Sequence, residues 1–174
     1  PLAEALKPGD YVLIAVGTDS PLQVLPPREK FEAGLTTLVE AVRARKAIPL
    51  LADPAPALAA DAKYDLAAAE SWVHAVADKE KVQYLSVYPA ADKWLNALGT
   101  ANAASPFNVS SDPRAADLNH FSAYGAFEYA KLIALAIRDS KIELASHLYA
   151  EIPATNADPK QFPPALGYDY LKRE

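Results

Sequence analysis

The chain has 174 residues, with 17 lysines and arginines against 22 aspartates and glutamates, for a formal net charge of −5. At 51% hydrophobic and 22% charged residues it is long and apolar enough to bury one domain core, which excludes a wholly disordered chain. Net acidity without a basic run argues against a nucleic-acid binder, no apolar run approaches the ~20 residues of a membrane span, and the lack of cysteine removes disulfides, zinc thiolates and thiol catalysis.

Residues Pro1–Leu6 read as the end of a helix, so the chain opens as though inside a domain. A turn, Lys7-Pro8-Gly9-Asp10, leads into the apolar run Tyr11–Val16. Two further runs follow, Ala47–Asp53 and Val82–Tyr88. The first two are nearly continuous rather than alternating, the pattern of parallel strands covered on both faces. Each run ends at turn residues: Gly17-Thr18-Asp19-Ser20, Asp53-Pro54 and Pro89.

Between the runs the apolar spacing is helical. Phe31, Leu35, Leu38, Val39 and Val42 share one face over Pro27–Lys46, and Leu66, Ala69, Val73 and Val76 do so over Asp65–Lys79. Asp92–Leu98 reads as a shorter helix closed by Gly99. Ser122 caps a long helix ending near Asp139, with Ala126, Phe127, Ala130, Ile133 and Ile137 as its expected buried face. A short helix over Ile142–Tyr149 follows.

Strands alternating with helices predict an α/β domain with a parallel sheet. It spans residues 1–149, and residues 150–174 form a tail that Pro153, Pro159, Pro163 and Pro164 keep extended. The tail's Phe162, Tyr168 and Tyr170 either pin it across the domain or leave it loose. Three parallel strands make a narrow sheet, so an uncovered edge is expected.

Ligands of open parallel sheets bind beyond the carboxyl ends of the strands. The richest segment there is Asp117-Leu118-Asn119-His120-Phe121-Ser122, followed by Gly125-Ala126. An aspartate three residues before a histidine, at the entrance to a helix, can hold the imidazole in one tautomer and leave its other nitrogen as a general base. The same spacing also suits an ordinary turn in which Asp117 and His120 have no chemistry, because Asp-x-x-His by itself is a weak pattern. Gly17-Thr18-Asp19-Ser20 sits directly after the first strand, where it is either a polar site loop or a plain strand-to-helix turn. Ser20, Ser110 and Ser111 are weak nucleophile candidates. His74 reads as a solvated helix residue, and His147 as a helix-end residue that suits the dipole. Trp72 and Trp94 read as packing residues. Tyr64 and Tyr124 either line a carbohydrate cleft or pack. Three scattered histidines give no metal-ligand spacing.

Lys7-Pro8-Gly9-Asp10-Tyr11-Val12-Leu13-Ile14 with Gly17-Thr18-Asp19-Ser20 resembles the third conserved block of the SGNH (GDSL-type) hydrolases, most closely the rhamnogalacturonan acetylesterase branch. Asp117-Leu118-Asn119-His120-Phe121-Ser122 with Gly125-Ala126 resembles that family's last block, Asp-x-x-His-x-Ser-x-x-Gly-Ala. The resemblance runs from about Leu2 to Leu148, with both blocks in the family's order. It implies a flavodoxin-like three-layer αβα fold, seen as the C-terminal two-thirds of an SGNH hydrolase domain. It also implies a serine esterase that deacetylates a polysaccharide such as rhamnogalacturonan, without a cofactor, in a secreted or periplasmic setting. Asp117 would orient His120, His120 would be the general base, and Gly17 would open the oxyanion turn. The family's nucleophile block, Gly-Asp-Ser, does not occur in this chain. The resemblance therefore implies a serine from elsewhere, with a second polypeptide supplying the N-terminal strands as one source. Asp19 falls where the family has an oxyanion-binding asparagine. Losing such a donor costs ~2.7–4 kcal/mol of transition-state stabilisation, and a carboxylate also repels the oxyanion. The alternative is a non-catalytic relative that binds or builds.

Overall fold

Short runs rich in branched and aromatic residues form the sheet. The computed structural model describes residues 2–16, 25–56, 66–107 and 120–162. Strands β1 (Tyr11–Ile14), β2 (Ile48–Ala52) and β3 (Gln83–Leu85) are parallel, in the order β1-β2-β3. Tyr11 is level with Ile48, and Leu50 with Gln83. The helices are α1 (Leu2–Ala5), α2 (Arg28–Arg43), α3 (Leu66–Glu80), α4 (Tyr88–Ala97), α5 (Gly99–Asn102) and α6 (Ala123–Ser140). Single 3-10 turns follow at Glu143–His147 and Pro159–Gln161.

Strand β2 explains the three layers. Successive side chains of a strand point to opposite faces. Leu51 joins Ile14, Leu35, Val39 and Val73 in a core under α2 and α3. Leu50 and Ala52 join Leu85, Trp94 and Leu132 in a second core under α4 and α6. A strand buried on both faces needs an unbroken apolar run, which is how β2 reads in the sequence. The predicted α/β architecture is the one observed.

Several elements depart from the sequence-based expectation, the simplest being the helix expected over Ile142–Tyr149, which is a 3-10 segment at Glu143–His147. The third apolar run stops as a strand at Leu85, and α4 begins at Tyr88 rather than near Asp92. The buried Asp53 carboxylate accepts the backbone N–H groups of Val87 and Tyr88, 2.6 Å each, and so starts the helix early. The buried face of α6 is also rotated. Ala126, Phe127 and Ala130 are exposed, whereas Tyr124, Gly125, Glu128, Tyr129 and Leu132 are buried. Ile133 and Ile137 are half-buried at its margin.

A buried glutamate defeats an apolar count, and Glu128 is buried because its charge is matched. Lys131 Nζ lies 2.8 Å from its Oε1, and the Asn156 N–H donates to its Oε2 at 2.7 Å. The Asn156 carbonyl accepts in turn from Trp94 Nε1 (3.2 Å) and Tyr124 Oη (2.5 Å). Phe162 then packs on Tyr124 and Phe127. The tail is thus pinned across α4 and α6 as far as Phe162; Tyr168 and Tyr170 lie outside the described residues.

The outer edge of β1 pairs with no described strand. Beside it Leu13 and Leu38 are 40% and 43% exposed, and a groove of about 330 Å³ is lined by Leu6, Val12, Leu13, Val16, Leu38 and Ala41. Among the described residues no helix is long and apolar enough to cross a membrane.

Candidate functional site

The carboxyl ends of the three strands point to one edge, and the residues there divide into a rigid support and an exposed rim. Asp53, the first residue after β2, is the support. It is fully buried and accepts the Tyr84 hydroxyl as well as the two N–H groups at the start of α4. One carboxylate thereby ties together the end of β2, strand β3 and a helix N-terminus whose dipole favours negative charge. Burial, followed by the bond to Asp53, pushes the Tyr84 phenol well above the usual range. Burial and then the same carboxylate raise Tyr129 of α6. Burial, with Asp53 second, raises Glu70 on α3. The sequence showed Asp53-Pro54 only as a strand-ending turn. The legible hint was an acidic residue immediately after an unbroken buried run.

The rim is reached through α6. Tyr129 packs on Phe121, ring centroids 5.0 Å apart. Phe121 stacks on Phe107 at 5.7 Å, and the two backbones form an antiparallel bridge. His120 precedes this bridge directly and is exposed. Ser122 then caps α6: its Oγ accepts the Gly125 N–H at 3.1 Å. The histidine therefore stands where the sequence placed it, on the approach to a capped helix. Its predicted partner Asp117 lies outside the described residues, as do Gly17, Thr18, Asp19 and Ser20 of the oxyanion turn, Ser110, Ser111 and Tyr64.

The other described candidates are packing residues or exposed surface residues. Tyr124 is buried and its hydroxyl donates to the Asn156 carbonyl of the tail, so among the described residues it packs. Trp94 is a core residue and Trp72 packs edge-on against Phe31. His74 is exposed, 3.9 Å from Asp78 and in ring contact with Tyr84. It borders a polar groove with Glu70, Ser71 and Tyr84. His147 ends a 3-10 turn. Among the described residues no three His, Asp or Glu side chains are grouped to hold a metal ion.

No protein-family model and no curated protein matches the chain. Among solved structures, the crystal structure of protein YxiM from Bacillus subtilis is similar. Its TM-score is 0.65 at 18% identity, over 82% of this chain and 40% of that one. That neighbour has an SGNH-like fold. This chain has an SGNH-like fold too. It spans about two fifths of YxiM's length. In this SGNH-like sheet the carboxyl edge carries Asp53 in support and His120 on the rim.

Proposed function

We propose that this chain is part of an SGNH-type serine esterase that removes acetyl groups from a polysaccharide such as rhamnogalacturonan. The placement of His120 carries the reading: exposed, at the carboxyl edge of an SGNH-like sheet, one residue before a capped and buttressed helix. Asp117 orients the imidazole and stabilises its charged form. A serine hydroxyl from outside these 174 residues attacks the acetyl carbonyl as His120 takes its proton. His120 returns that proton to the departing sugar oxygen, and water then cleaves the acetyl-serine by the same route. Gly17 and the residue at position 19 form the oxyanion turn. The open edge of β1 and its apolar groove support a further strand, from a longer chain or a second polypeptide, as the carrier of the serine.

The test is hydrolysis of p-nitrophenyl acetate and of acetylated rhamnogalacturonan by this chain joined or co-expressed with its Gly-Asp-Ser segment. Turnover is expected, and His120→Ala should remove it; turnover retained in His120→Ala refutes the assignment of the base.

Asp19 supports a second reading, a non-catalytic scaffold, because a carboxylate opposes the oxyanion. On that reading the assembled protein is inert and Asp19→Asn creates activity. Equal activity with either residue counts against it.

A further inference from the structure

We propose that Gly125 and Ser122 are positioning residues that set where the His120 imidazole stands. The basis is how closely the first turn of α6 is pressed onto the segment Ser105–Phe107. A Cβ at Gly125 would lie 1.9 Å from the Pro106 carbonyl oxygen and 2.8 Å from its Cα. These are backbone atoms of a fully buried residue, so no flexible side chain can swing aside. The same Pro106 carbonyl accepts the Ser122 N–H at 2.8 Å. The Ser122 hydroxyl donates to the Ser105 carbonyl at 2.8 Å while accepting the Gly125 N–H.

Ser105–Phe107 is itself held by turn bonds to what precedes it, Ser105 N–H to Asn102 O and Phe107 N–H to Ala104 O. Phe121, between His120 and Ser122, is bridged to Phe107. Both residues after His120 are therefore fastened to one short segment, and the fastening works only while position 125 has no side chain. Gly125 is not in the left-handed region that favours glycine, so close approach is the reason for glycine here. An alanine would have to withdraw by about 1.5 Å or more to reach ordinary contact, stretching the Ser122 bonds. Displacement of that size in a catalytic group costs about 10²-fold in rate.

The test has a spectroscopic arm on this chain and a kinetic arm that rests on the esterase reading. The chain has only three histidines, His74, His120 and His147, so its imidazole NMR signals are few. Gly125→Ala and Ser122→Ala should move the His120 ring signals toward those of free histidine and leave His74 and His147 in place. Ser122→Thr, which keeps the hydroxyl, should restore them. In the assembled esterase, Gly125→Ala should lower kcat about 10²-fold with KM unchanged. If Gly125→Ala does not fold, the Ser122 pair decides. His120 signals unmoved in folded Ser122→Ala, or moved equally by Ser122→Thr, overturn the proposal. Activity that survives His120→Ala refutes the esterase reading instead and leaves the spectra to judge the positioning.

Discussion

Removing the Asp53 carboxylate tests whether one buried charge holds the site edge together. Asp53→Ala removes the carboxylate to which the Tyr84 hydroxyl and the N–H groups of Val87 and Tyr88 donate. The side chain has no solvent exposure, so water does not replace it without opening the structure. A hydrogen bond to a charged group contributes ~1.5–3 kcal/mol, and each orphaned buried donor costs ~1–3. The three are not additive because they share one acceptor. The expected loss is about 3–5 kcal/mol, a large part of a stability of ~5–15. Asp53→Asn separates charge from shape. Its carbonyl can keep the two N–H groups while its amide donates to the Tyr84 oxygen, so the charge assistance and the acceptor for the Tyr84 O–H are lost but the helix-start bonds remain, about 1–3 kcal/mol. Urea unfolding followed by tryptophan fluorescence reads both numbers, with Trp94 in one core and Trp72 beside the other. A loss below ~1 kcal/mol for Asp53→Ala, or equal losses for the two variants, would refute the view of Asp53 as the charged tie between β2, β3 and α4.

Three further outcomes are expected. Tyr84 and Tyr129 have folded pKa values raised above the unfolded value; their contribution is whole below pH 10 and is lost as pH rises beyond it, by ~1.36 kcal/mol per pH unit for each group. Alkaline unfolding midpoints in wild type and Tyr129→Phe check this, since the variant should show the shallower decline. Glu128→Ala strands Lys131 and the Asn156 N–H, so it should cost ~3–5 kcal/mol and speed amide exchange at Asn156 and Asp158. Wild-type exchange there would contradict the pinned tail. Lys141 ends α6 in the left-handed conformation, φ 57°. Lys141→Gly relieves that strain and should raise stability by ~0.5–1 kcal/mol in thermal or urea unfolding, whereas a loss would mean the lysine charge at the helix end outweighs it.

Local periodicity and covalent geometry were enough for the element order. The unbroken run Pro49–Ala52 suits a strand covered on both faces, as β2 is, whereas the similar run of β1 leaves Leu13 exposed at the open edge. The spacing of Phe31, Leu35, Leu38, Val39 and Val42 gave the buried stripe of α2 at every position but Leu38, which faces outward at its margin, and Ser122 marked the start of α6 because its hydroxyl can satisfy the first free N–H groups. His120 stood out in the sequence through the Asp-x-x-His spacing at the entrance to that helix. Tertiary structure alone decided what depends on partners distant in sequence. Glu128 is buried because Lys131 and a tail residue 28 positions away neutralise and bond it. Asp53 is buried because donors 31 to 35 residues later converge on it. Gly125 is required because the Pro106 backbone, not its own helix, fills the space of a side chain. A sequence carries each residue's preference for its neighbours in the chain, whereas the burial of a charge is permitted only by whatever the fold brings to meet it.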